Sequence, residues 1–141
     1  MATYTKYQFA TELLAETINA GTDSWKIILS NTAPAPTSIT VTTAAGATEL
    51  GTTGGYTAGG VTATITSSAQ TGGVYKLTLA APASPTWTAS GLGFTFRYVI
   101  LYNLTVTACV AFWDYGSSVV MNATDTFTPV LDAANGTFTI T

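Results

Sequence analysis

Residues 94–115 read Phe94-Thr95-Phe96-Arg97-Tyr98-Val99-Ile100-Leu101-Tyr102-Asn103, then the link Leu104–Thr107, then Ala108-Cys109-Val110-Ala111-Phe112-Trp113-Asp114-Tyr115. Two runs so rich in β-branched and aromatic residues, joined by so short a link, predict an antiparallel hairpin. A hairpin symmetric about the link places Arg97 opposite Asp114 and Tyr98 opposite Trp113. Arg97 is the only arginine in the chain. The spacing therefore predicts a structural cross-strand ion pair, Arg97 with Asp114, that fixes the register.

The same strand logic extends outward. Trp25-Lys26-Ile27-Ile28-Leu29-Ser30 opens the series, closed by Pro34 and Pro36. Ile39 and Val41 alternate with threonines, as do Val61, Ala63 and Ile65; Tyr75, Leu77 and Leu79 alternate with Lys76 and Thr78; Phe138 and Ile140 alternate with Thr137, Thr139 and Thr141. A period of two with threonine on the wet face marks half-buried antiparallel strands. Pro129 restricts residues 126–130 to an edge or bulged strand, because proline cannot donate to a ladder. Asn135-Gly136 is a tight-turn signal feeding the last strand, which ties the C-terminal residues into a sheet. About nine such strands predict an all-β fold, an antiparallel β-sandwich or jelly-roll-like barrel.

Only residues 6–20 have helical spacing. Thr5 and Gln8 stand at capping-box distance, Phe9, Leu13 and Thr17 share a face with Leu14 and Ile18 beside them, and Gly21 is placed to end the helix. The expected organisation is an N-terminal arm and helix over residues 1–24 and a single β-sandwich domain over 25–141.

Composition bounds the chemistry. The 141 residues include no histidine, one cysteine, four basic and seven acidic residues, with charged residues at 8% of the chain. An average domain has roughly 25%. General acid–base, nucleophilic and metal chemistry draw on the scarce types, so the expectation is no enzyme, no catalytic or metal residues and no cofactor. Lys6, Lys26, Lys76 and Arg97 are scattered and the net charge is −3, which argues against a nucleic-acid partner. Neither Tyr98–Tyr102 nor Ala108–Trp113 is long enough for a spanning helix, and the N-terminus has no basic-then-apolar signal, so a soluble protein made in the cytoplasm is expected. Cys109, within an apolar run, reads as a small core residue.

The densest glycine run, Gly51-Thr52-Thr53-Gly54-Gly55-Tyr56-Thr57-Ala58-Gly59-Gly60, lacks the lysine and helix of a phosphate loop. Either it is a loop using glycine's conformational freedom, or it projects onto a neighbour with Tyr56 as anchor. Trp87, flanked by loop-like residues, is the tryptophan expected to be exposed and a second candidate interface residue. The acidic residues Asp23, Glu49, Asp114, Asp125 and Asp132 are spread along the chain, with no spacing that assembles a carboxylate pair or a calcium loop.

Four strings bear a likeness beyond composition. They are residues 25–36 (Trp25-Lys26-Ile27-Ile28-Leu29-Ser30 through Pro36), Thr48-Glu49-Leu50 with Gly54-Gly55-Tyr56-Thr57-Ala58-Gly59-Gly60, Arg97 through Asn103, and Phe112-Trp113-Asp114-Tyr115-Gly116-Ser117-Ser118. Their order resembles a family of small virion structural proteins of tailed bacteriophages, from about residue 7 to residue 130. The Gly-Tyr-Thr-Ala-Gly-Gly string is the sharpest element. The resemblance implies no catalytic residues. It implies a place in the virion, as a capsid decoration (cement) protein that stabilises the head by bridging capsomers. Its partners would be itself, as a homo-oligomer with a trimer as the working expectation, and the major capsid protein. The alternatives are a tail, neck or fibre component, or a carbohydrate- or receptor-binding β-sandwich module using exposed aromatics.

Overall fold

The computed structural model describes residues 2–8, 10–35, 48–81, 86–132 and 134–141, with only the backbone of Glu12. The Ile39–Val41 alternation, Pro36, Phe9 of the helical stripe and Pro85 beside Trp87 lie outside the described residues.

The chain is all-β and antiparallel, with one short N-terminal helix. Its elements are β1 (Thr3–Lys6), α1 (Ala10–Glu16), β2 (Trp25–Ser30), β3 (Val61–Thr71), β4 (Val74–Ala80), β5 (Trp87–Thr88), β6 (Phe94–Asn103), β7 (Ala108–Met121), β8 (Thr126–Phe127) and β9 (Phe138–Ile140). Seven strands form one curled sheet in the order β1-β7-β6-β2-β3-β4-β9, and β5 pairs with β8 in a separate ribbon. β8 stops two residues before Pro129, as a residue without an N–H requires.

The N-terminal segment departs from the helical expectation. Thr3–Lys6, all β-tolerant residues, pair with β7 in the register Thr3↔Asp114 to Lys6↔Ala111. Thr5 therefore sits opposite Phe112 and cannot cap a helix. The helix is seven residues long, starting at Ala10 and ending at Glu16. Gly21 does not end it; that glycine lies in a later turn, where Asp23 accepts the Asn19 N–H at 3.0 Å. Tyr7 and Ala10 are buried, so a hydrophobic link between strand and helix outweighs a weak helical stripe.

The central strands lose the period of two. Ile27 to Ser30, Tyr98 to Leu101 and Ala108 to Phe112 are continuous buried runs, so β2, β6 and β7 are covered on both faces. On one face of β2, Trp25 packs against Phe138 with ring centroids 5.8 Å apart. On the other, Lys26 donates to the Gly59 carbonyl (2.7 Å) and Ser30 Oγ to the Thr48 carbonyl (2.6 Å). Residues 48–60 thus lie across the sheet as a second layer.

The β6–β7 hairpin turns through residues 104–107 as expected, but not symmetrically. Asn103 faces Ala108 and Tyr102 faces Cys109, after which Leu101 faces Ala111. Val110 is an extra residue, and the bulge it makes shifts the register by one, so that Tyr98 faces Asp114 and Val99 faces Trp113. A wider irregularity follows, because the next pair is Phe96 with Val119. Residues 115–118 of β7 bow out opposite Arg97 alone.

Candidate functional site

Arg97 and Asp114 meet diagonally across that bow. Nε donates to Oδ1 at 2.8 Å and Nη2 to Oδ2 at 3.0 Å, a two-pronged pair. Asp114 Oδ1 also accepts the Gly116 N–H at 2.7 Å, and the guanidinium lies 5.2 Å from the centroid of the Tyr98 ring. The Arg97 hydrogen bonds, then the Gly116 N–H, hold the Asp114 carboxyl below the usual carboxylate range. Every donor in the cluster comes from the strands themselves, so the pair closes the base of the bulge.

The two candidate interface aromatics are not exposed. Tyr56 is 1% and Trp87 is 4% exposed. Trp87 is drawn in because its flank pairs with residues 125–127: Ala89 N–H donates to the Asp125 carbonyl and the ring stacks on Phe127 at 5.9 Å. Tyr56 joins this aromatic cluster through Trp87 (5.9 Å) and Phe94 (6.1 Å).

The Tyr56 hydroxyl has a specific task. The β2–β3 ladder covers only Trp25 to Ile27, so Leu29 has no β3 partner. Leu29 N–H donates instead to the Tyr56 hydroxyl (3.2 Å), and the Leu29 carbonyl accepts the Leu50 N–H (2.7 Å). The Tyr56 hydroxyl donates in turn to Glu49 Oε1 (2.7 Å), which also takes the Gly59 N–H (2.5 Å). Burial pushes the Tyr56 phenol well above its usual range. The glycines allow this close approach. Gly60 adopts φ +59° and a Cβ there would lie 2.1 Å from the Ile27 carbonyl oxygen; at Gly54, φ +50°, it would lie 1.8 Å from that of Gly93. Residues 48–60 are a clasp that completes the backbone bonding of β2. Glu49 gave no separate signal in the sequence, because only the fold brings it to Tyr56.

The carboxylates are held in the same way. Asp23 accepts from the Asn103 amide (2.9 Å), Asp125 from the Asn122 N–H (2.8 Å) and Asp132 from the Asn135 N–H (2.9 Å). With Glu49 and Asp114, five of the seven acidic residues cap turns or bulges of their own chain. Among the described residues, no three His, Cys, Asp or Glu side chains are grouped to hold a metal ion, and no helix is long and apolar enough to cross a membrane. Cys109 is buried, which raises its thiol pKa to about 12.

What remains open is apolar. Leu92 stands fully exposed between Gly91 and Gly93, Val120 faces water at the same end of the β6–β7 hairpin, and Leu104 projects from the opposite turn. A groove of about 800 Å3 lies between α1 and the two edge strands β1 and β9.

No family model matches the chain, and neither the curated proteins nor the solved structures contain a significant match.

Proposed function

We propose that the chain is a virion structural protein of a tailed bacteriophage, a decoration protein that binds the outside of the assembled head as a homo-oligomer. The observation that carries this reading is the ordered resemblance of four strings to small phage virion proteins. Those strings are neighbours in space: β2, the 48–60 clasp on its face, β6 beside it, and the bowed segment of β7 held by Arg97 and Asp114. The likeness therefore covers the frame of the fold rather than scattered matches. No catalytic step is part of the reading, and the internal bonding of five carboxylates supports that.

The physical mechanism is mass action. A subunit that binds only the assembled shell lowers the free energy of that state, by about 2.7 kcal/mol per site when its concentration is a hundred times the dissociation constant. A carbohydrate-binding module is less well supported, because Trp25 and Trp87 lie in the core and Trp113 is half-buried, in tilted contact with Tyr4 at 5.4 Å.

Titration of the purified protein onto expanded empty heads tests the reading. Saturation at a fixed stoichiometry with a rise in head melting temperature is expected. Absence of head binding, with labelled protein found on the tail or retained on a glycan array, would overturn it.

A further inference from the structure

Two strands end the sheet, and among the described residues the outer edge of each has no partner. β1 pairs only with β7 and β9 only with β4, and among the described residues no other backbone hydrogen bond reaches either strand. Unpaired edges are templates for another strand, which proteins usually blunt with charge, proline or bulges. Phe138-Thr139-Ile140 has none of these devices, and β1 has only Lys6 at its end.

The curl of the sheet brings both edges to the same groove, with Leu14, Val110, Trp113 and Phe138 between them. Its rim is apolar where water would be expected to favour polar groups. Tyr4 is 42%, Ile140 42% and Val130 87% exposed, half of the large hydrophobic side chains that face water among the described residues. Contiguous exposed apolar surface beside open strand edges marks an interaction site. Among the described residues its charged lining is Lys6 on the β1 side and Asp132 on the β9 side.

These features select the occupant. Each copy of the chain offers both edges, and joining β1 to β9 brings the cationic side of one copy to the anionic side of the next. A surface so poor in charge also lacks the repulsion that keeps small domains apart. We propose that this groove is an interface between copies of the chain, in which the outer edge of β1 in one copy adds to the outer edge of β9 in the next, with Tyr4 and Ile140 packed between them. The contact is head-to-tail, so it repeats and closes into a ring when the rotation allows. It deepens the head-binding reading by naming its self-association surface.

Sedimentation velocity on the full chain over a wide concentration range tests it. The unaltered protein is expected to associate, and Tyr4→Lys and Ile140→Lys each to raise the dissociation constant by about tenfold or more. Val120→Lys, far from the groove, should associate as the unaltered chain does. Val130→Lys is the safeguard against misfolding, since that side chain is almost wholly in water, and it should weaken association while the melting temperature holds. A monomeric unaltered protein, groove variants that assemble normally, or a Val120→Lys variant equally impaired would each overturn the proposal. Head titration with the same variants separates the two ideas: assembly without head binding leaves the interface standing, and head binding by a protein that never self-associates leaves only the decoration reading.

Discussion

Tyr56→Phe tests whether the glycine-rich segment is a clasp or a contact arm. The substitution keeps the ring among Trp87 and Phe94 and removes one oxygen. Leu29, fully buried, then has an N–H with no acceptor, because β3 does not reach it. An orphaned buried donor costs about 1–3 kcal/mol. Glu49 loses its 2.7 Å donor but keeps the Gly59 N–H and is partly open to water, so that loss adds little. The total is about 2 kcal/mol, which for a chain this long lowers the melting temperature by about 7 °C. Tyr7→Phe is the internal control. The Tyr7 hydroxyl is buried beside the Cys109 thiol and makes no hydrogen bond of normal geometry. Removing it is expected to change stability by less than about 0.5 kcal/mol, or to raise it. Calorimetry of both variants decides the matter. If the two behave alike, or if Tyr56→Phe melts normally yet fails to bind heads, the clasp argument is wrong and Tyr56 is a contact residue after all.

Gly54→Ala should prevent folding, since its Cβ would meet the Gly93 carbonyl oxygen, whereas Gly72→Ala, in open space at φ +60°, should cost only about 1 kcal/mol of left-handed strain; denaturant melts of both check this. The Asp114 carboxyl should titrate below the ordinary 3.8 and return toward it in Arg97→Met, as carboxyl NMR shifts would report. Because the folded value is the lower one, the pair's contribution is present above pH 3.8, is lost as pH falls through the folded value, and that acid sensitivity should shrink in the variant. Cys109 works in the opposite sense: its folded pKa of about 12 exceeds the ordinary 9.0, so its contribution is full below pH 9 and is lost as pH rises toward 12. Thiol reagents at pH 8 should therefore label the protein only on unfolding, and rapid labelling of the native chain would contradict the burial.

The strands were legible because threonine alternation survives in β3 and the dense apolar runs of β6 and β7 leave no other choice, although in β4 Thr78, expected on a wet face, is buried between Leu77 and Leu79. The register was legible only as far as the first bulge. Val110 resembles its neighbours chemically, so nothing in the sequence marks it as the residue that drops out of the ladder. The ion pair survives the one-residue shift because Arg97 is long and reaches Asp114 diagonally. The N-terminus misled for a different reason: a capping-box spacing is local, whereas pairing of Thr3–Lys6 with residues 111–114 is a contact across the whole chain. Tyr56 and Trp87 misled because glycine and proline flanks suggest exposure, while burial depends on which strands those flanks later pair with. Neither the Tyr56–Glu49 contact nor the β1–β9 groove has a sequence signature. Each is made by the curl of the sheet.

The distribution of satisfied and unsatisfied groups connects these findings. Away from the sheet edges the chain pairs polar atoms by uncommon means: a tyrosine hydroxyl replaces a missing strand for Leu29, and exposed carboxylates cap turns of their own chain. A molecule that bonds so much of its interior and then leaves two edges, with Lys6 their one charge, without a partner among the described residues, both on one apolar groove, is asymmetric in a way that stability alone does not require. Backbone pairing reads no side-chain identity, so an interface built on those edges would tolerate substitution at Thr3, Thr5 and Thr139 while remaining sensitive to Tyr4 and Ile140, whose side chains fill the space between copies. A scan of these five positions by self-association should divide along that line. Uniform sensitivity would mean that side-chain complementarity, not strand addition, joins the copies.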